Sequence, residues 1–138
     1  MNKTAPARAP AQHSISVLLP AGPAAPAAAR RRVRAAIESW GVPADPDVAT
    51  LLTSELVTNA IRYAGGSVRL FVTCSCGHLR VYVHDASGEL PAALDAPADA
   101  EDGRGLMLVD RLATEWGCYR TSAGKAVYFT LALTPELV

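Results

Sequence analysis

Glu55 and Asn59 stand one helical turn apart in "SELVTNAIRYAGG", residues 54–66, an otherwise apolar stretch. At about 100° per residue they share a line with Val48, Leu51 and Leu52, so the pattern turns a carboxylate and an amide inward. Burying a carboxylate without a partner is costly. Either something sits against that end of the helix, or local backbone and solvent satisfy the pair. Asp85 poses the same question. It closes "HLRVYVHD", where Leu79, Val81, Val83 and Asp85 alternate onto one face, and Asp-Ala-Ser-Gly is also turn chemistry. An inward Asp there is a cap for the turn or an acceptor for a ligand. In "DGRGLML", Gly103 and Gly105 flank Arg104 immediately before a helix. Backbone N–H groups at a helix start, with no Cβ in the way, form an anion site, and a guanidinium can fork onto phosphate oxygens. The alternative is that the glycines only permit a tight turn, since a lone G-x-G is a weak signal.

These residues need elements to hold them. Residues 1–13 are rich in Ala and Pro with too little apolar mass to pack, which predicts a loose, disordered tail ahead of one domain over 14–138. "SISVLL" alternates as an opening strand. Ala29, Val33, Ala36, Ile37 and Trp40 then form one helical stripe, with Arg30, Arg31, Arg32 and Arg34 largely off it, and Gly41 and Pro43 end the helix. The arginines read as a solvated helix face or a partner patch. Asp45-Pro46-Asp47 starts the helix that carries Glu55, and Gly65-Gly66 stops it. "SVRLFVTC" and "HLRVYVHD" are joined through "SCGH" as a hairpin. Residues 88–103 lack periodicity and hold five acids, the pattern of a long functional loop or lid, or of a solvated surface loop. "RGLMLVDRLATEWG" reads as a helix, and "EWGCYRT" with "KAVYFTLAL" as a closing hairpin in which Val127, Phe129, Leu131 and Leu133 alternate. Hairpins between consecutive strands make the sheet mixed but mostly antiparallel. Amphipathic helices on one face complete a two-layer α/β (α+β) sandwich.

Composition narrows the function classes. The chain has 138 residues, half of them apolar, with a formal net charge of zero. That length suits one domain with a substantial core. Zero net charge gives no global pull toward nucleic acid or an anionic membrane. No apolar run approaches the roughly 20 residues of a spanning helix, and the N-terminus lacks the order of a secretory signal, so the expected location is cytoplasmic. Cys74, Cys76 and Cys118 are an odd count. One C-x-C without a second pair is weak as a zinc site and reads more simply as strand-end thiols in a reducing compartment.

The order of these features is more specific than any one of them. A helix with E-x-x-x-N, a hairpin ending in Asp, a loop, G-x-G opening a helix and a final hairpin together resemble the GHKL superfamily of ATPases and kinases, from about Ser14 to Leu133. "ELVTNAIRYA" resembles the N-box, "DASGELP" the first glycine box, "GRGLMLVDRLATEWG" the second, and "GKAVYFTLAL" the closing strand. The short chain and the "ELVTNA" and "GRGL" forms resemble the bacterial anti-sigma factor serine/threonine kinases. The resemblance implies the Bergerat (histidine kinase-like ATPase) fold, with ATP and Mg²⁺ as ligands. It implies that Asp85 holds the adenine amino group, that Asn59 coordinates Mg²⁺, and that Glu55 is the catalytic base or positions the attacking hydroxyl. Gly103, Arg104, Gly105 and Leu106 would meet phosphate, with Arg62 and Ser87 as further ATP contacts. Ser87 departs from the glycine usual at its place. Lys125 and Ala126 stand where many relatives carry a threonine supporting adenine, so adenine is held more weakly or Ser87 supplies the hydroxyl.

The function implied is an ATP-binding anti-sigma factor with serine/threonine kinase activity toward an anti-anti-sigma (STAS-like) protein. It would otherwise sequester a sigma factor, and it would form a homodimer as relatives often do. A nucleotide-gated protein-binding module with little catalysis is the second reading. An interaction domain that has lost the nucleotide is the third.

Overall fold

The computed structural model describes residues 13–20, 22–64, 66–86 and 101–133, with the side chains of all but 63, 64 and 101–104. In chain order the elements are β1 (His13–Leu19), α1 (Ala25–Trp40), α2 (Pro46–Ala64), β2 (Val68–Ser75), β3 (His78–Asp85), α3 (Glu101–Leu112), β4 (Glu115–Thr121) and β5 (Gly124–Ala132). The five strands form one sheet in the order β1-β2-β3-β5-β4. Every pairing in it is antiparallel. The expected two-layer α+β architecture is therefore present, with an antiparallel sheet throughout. β5 inserts between β3 and β4, which sets the end of β3 directly beside the start of β5.

Local chemistry explains most boundaries. Gly41 takes a left-handed φ of 63° after α1, and its N–H and that of Val42 return to the carbonyls of Glu38 and Ile37. This closure favours glycine because a Cβ is unfavourable there. Oδ1 of Asp45 accepts from the N–H groups of Asp47 and Val48 at 2.9 and 3.4 Å, capping α2 just ahead of Pro46. Cys76 and Gly77, at φ 53° and 76°, form the two-residue turn of the β2–β3 hairpin. Arg30, Arg31, Arg32 and Arg34 are all exposed on α1.

The core lies between the sheet and the helices. Val68, Leu70, Val72, Leu79, Val81, Val83 and Phe129 from the strands meet Val33, Leu52, Leu56, Val57, Leu106 and Val109 from the helices. Burial in β3 alternates strictly, with Leu79, Val81, Val83 and Asp85 inward. Among the described residues, no helix is long and apolar enough to cross a membrane.

Four sequence expectations need correction. His13, assigned to the tail, opens β1, pairs with Cys74 and stacks on Trp40 at 5.2 Å; residues 1–12 lie outside the described residues. Leu51 is exposed rather than inward, because the buried face of α2 is centred on Ala49, Leu56 and Ala60. The α3 helix begins at Glu101, so Gly103 and Gly105 fall inside its first turns instead of ahead of it. Acidic residues at a helix start favour its macrodipole, which offsets the poor helix propensity of glycine. Finally, α3 stops at Leu112 and "EWG" belongs to β4. The N–H of Thr114 already donates to the Thr130 carbonyl at 2.8 Å, so the sheet captures the chain there.

Candidate functional site

Two polar clusters border the helix–sheet interface, because α2 packs on both β3 and β5 as well as on α3. The first is on the flank of α2. Ala49, Leu52, Thr53, Leu56, Val57 and Ala60 are its buried face. Glu55 and Asn59 sit about 100° round from the centre of that face and are half-buried. The helix tolerates them because water still reaches them, so the cost of a sealed carboxylate does not arise. What stands against Glu55 is α3. A Cβ placed on Gly105 would lie 2.5 Å from Oε1 of Glu55, 3.6 Å from its Cδ and 3.8 Å from its Cβ. Glycine is what lets α3 approach the Glu55 carboxylate this closely. The next residue, Leu106, is buried in the core and pins the start of α3 to the domain. Its side chain therefore serves packing.

The second cluster closes the β3–β5 end. Asp85 and Lys125 are directly opposed in the β3–β5 register. Nζ of Lys125 lies 3.2 Å from Oδ1 and 3.1 Å from Oδ2 of Asp85, and the two side chains are 4% and 0% exposed respectively. Both face the helix layer, since Lys125 alternates with Val127, Phe129 and Leu131 as Asp85 does with Val83. Gly124 precedes Lys125 at φ 152°, and a Cβ there would collide with the backbone carbonyl oxygen of Asp85 and with Ala86. The close approach of the two strand ends thus depends on a missing side chain as well.

Several predicted site residues fall into place and others do not. Asp85 has the inward orientation expected of it and takes part in an ion pair, so it is more than a cap for the following turn. Glu55 and Asn59 share one flank, and Gly105 meets Glu55. Arg62 is exposed in the last turn of α2, where a cation suits the helix macrodipole. Ser87, the acidic loop through residue 100, and the side chain of Arg104 lie outside the described residues. Sequence reasoning named Lys125 only as a departure from the threonine of relatives and missed its pairing with Asp85. Its signal was the alternation of β5, which runs two residues further back than Val127 and carries Lys125 inward.

Chemically, the first cluster offers a half-open carboxylate with an amide oxygen one turn away. The second offers an acceptor and a cationic donor side by side in a dry setting. Among the described residues no group of three or more His, Cys, Asp or Glu is placed to hold a metal ion. The amide oxygen of Asn59 fits Mg²⁺, which keeps several waters and substrate oxygens and needs few protein ligands.

Comparison with known proteins adds three findings. A family model described as a histidine kinase-like ATPase domain matches residues 19–131. An uncharacterised protein of Streptomyces coelicolor is 38% identical over 90 residues, which are 61% of this chain and 85% of that protein. The crystal structure of the RsbU and RsbW domains of a Mycobacterium tuberculosis protein matches 90% of this chain at a TM-score of 0.68 and 19% identity. The chain spans 33% of that structure's length, and at this identity the likeness is one of fold.

Proposed function

Because the chain belongs to the histidine kinase-like ATPase family, we propose that it binds Mg-ATP and transfers the γ-phosphoryl group to a Ser or Thr hydroxyl of a small anti-anti-sigma protein. Unmodified, that partner would compete with a sigma factor held by this chain. The observation that carries the reading is the packing of Gly105 against Oε1 of Glu55. It joins the second glycine segment to the carboxylate of α2, the two features that phosphoryl transfer requires in one place.

In this reading Asp85 accepts from the adenine amino group at the sealed end of β3. Asn59 would hold Mg²⁺ through its amide oxygen, and the ion supplies charge neutralisation to the phosphates when bound. In the first turn of α3, where N–H groups have no intrahelical acceptor, Gly103 and Arg104 would offer theirs to the phosphates, while Gly105 and Leu106, one turn further in, would set that turn against Glu55. Arg104 adds a guanidinium to the γ-phosphate, and Arg62 approaches from the end of α2. Ser87 borders the base. Glu55 takes the proton of the attacking hydroxyl as the new O–P bond forms, the bridging O–P bond breaks and ADP leaves.

A second reading has its own support. Lys125 already engages the Asp85 carboxylate that adenine would use, which favours a module that binds nucleotide mainly to present a protein-binding surface. Incubation with labelled ATP and candidate anti-anti-sigma domains separates the two. Label on the partner, lost in Glu55→Ala, supports the kinase. Binding of Mg-ADP and Mg-ATP by calorimetry with no label moved, and a Glu55→Ala variant that behaves like the parent, supports the module. Absence of binding to either nucleotide removes both.

A further inference from the structure

The Asp85–Lys125 pair is an expensive way to close a sheet. Two apolar side chains of similar volume would hold β3 against β5 at least as well, because a buried ion pair loses more hydration than its attraction returns in many proteins. Here the pair sits in direct register, on the helix-facing side, within 3.1–3.2 Å. The carboxylate has lone pairs beyond the one or two that an ammonium uses, and the ammonium has three donors. Side by side, the two groups present an acceptor next to a donor. An amino group next to a ring nitrogen is the complementary edge, and adenine carries that edge at its exocyclic amine and N1.

We propose that Lys125 is a base-reading residue: its ammonium donates to the ring nitrogen N1 of adenine while Asp85 accepts from the neighbouring amino group. The inference rests on the nucleotide reading of the site and assigns a role that Asp85 alone does not fill. The ion pair fixes the polarity of the second contact. A hydroxyl or water at this place rotates to donate or accept, whereas an ammonium only donates. With Asp85 on the amino group, a base with a protonated N1, such as guanine or hypoxanthine, sets N–H against N–H and an oxygen against the carboxylate. Ala126, the next residue, faces the other side of the sheet, and Gly124 carries no side chain. Among residues 124–126, Lys125 is therefore the one that can make this contact.

The test measures affinity of the full chain for Mg-ATP, Mg-1-deaza-ATP, in which C–H replaces N1, and Mg-GTP, in the parent and in Lys125→Met. A hydrogen bond to a charged donor predicts that the parent binds 1-deaza-ATP and GTP roughly ten- to a hundredfold more weakly than ATP. In Lys125→Met the gap between ATP and 1-deaza-ATP should close to within about twofold, by loss of ATP affinity. A purely structural ion pair predicts a lower melting temperature for Lys125→Met with the gap unchanged, and that result overturns the inference. So does a parent that binds ATP and 1-deaza-ATP equally, or GTP as tightly as ATP. These outcomes leave nucleotide binding intact, whereas a parent that binds none of the three overturns the nucleotide reading and this inference with it. If Lys125→Met does not fold, the parent's ratio of ATP to 1-deaza-ATP decides, and Asp85→Asn/Lys125→Met supplies a pair-free comparison.

Discussion

Asp85 and Lys125 face each other with almost no exposed surface, whereas Glu55 and Asn59 stand half-buried on a helix flank where Gly105 meets Glu55. Both places put charge beside the core, yet they differ in what keeps it there. At the β3–β5 end, each charge is held by the other, so neither can change alone. At the α2–α3 contact, water and an absent side chain make room, so the carboxylate is nearly independent of the fold. The comparison teaches that the two halves of one candidate site carry different loads. One should be inseparable from stability, and the other should be separable from it.

The largest effect follows from breaking the sealed pair on one side. Asp85→Ala leaves the Lys125 ammonium buried without its counter-charge, and such a loss is expected to cost about 3–5 kcal/mol. Urea unfolding followed by circular dichroism should show a large drop in midpoint with an unchanged slope. Asp85→Asn/Lys125→Met, which removes both charges together, should recover most of that loss. If Asp85→Ala unfolds at the parent's midpoint, the pair is not the lock on this end of the sheet that its burial indicates.

Gly124→Ala comes next. The left-handed φ of 152° and the clash with backbone atoms of Asp85 and Ala86 leave no flexible group to give way. A strained backbone position of this kind predicts a loss of about 1–3 kcal/mol. The same unfolding measurement checks it, and a change under about 0.5 kcal/mol would mean that the strand ends separate easily.

The contrast also explains what could be read from sequence. Asp85 was legible because β3 alternates without a break and parity carries the aspartate inward. Lys125 obeys the same parity, but a lysine at a strand start reads as a solvated end unless its partner is known. The partner depends on β5 lying beside β3, a long-range pairing that periodicity does not contain. On α2 the polar residues were legible as interruptions, while the direction they face was not. A 3.6-residue period groups residues into stripes, and tertiary packing chooses which stripe is central, so Leu51 came out exposed. Gly103 and Gly105 looked like loop because glycine is a poor helix former. Their place inside α3 comes from its docking on α2 through Leu106 and Val109.

A third prediction sharpens the separable half. In Gly105→Ala the added methyl meets only the tip of the Glu55 side chain, which can rotate away, and alanine in a helix gains about 1 kcal/mol over glycine. Stability should therefore stay level or rise by up to about 1 kcal/mol. Phosphoryl transfer should nonetheless fall about a hundredfold, since displacing a catalytic group by about 1 Å has that consequence. A glycine variant that is firmer and less active is the opposite of Gly124→Ala. If Gly105→Ala instead lowers the unfolding midpoint as far as Gly124→Ala does, the two glycines do the same work and the distinction between the regions fails.

The smallest effect on stability belongs to Glu55→Ala. The side chain is half-buried and its removal strands no buried partner among the described residues, so the change should stay within about 0.5 kcal/mol. Nucleotide affinity should hold, while transfer to a protein partner falls about 10²- to 10⁴-fold, the usual range for a lost general base. The informative step is the combination. Once Glu55 is alanine, no carboxylate tip remains for the Gly105→Ala methyl to meet, so the second substitution should lose its effect on transfer and keep only its helix-propensity gain. Measured as a double-mutant cycle, that is strong coupling in activity and weak coupling in stability. Coupling of equal size in both would mean that Glu55 and Gly105 hold the fold together as Asp85 and Lys125 do, and that the helix flank is a second structural lock.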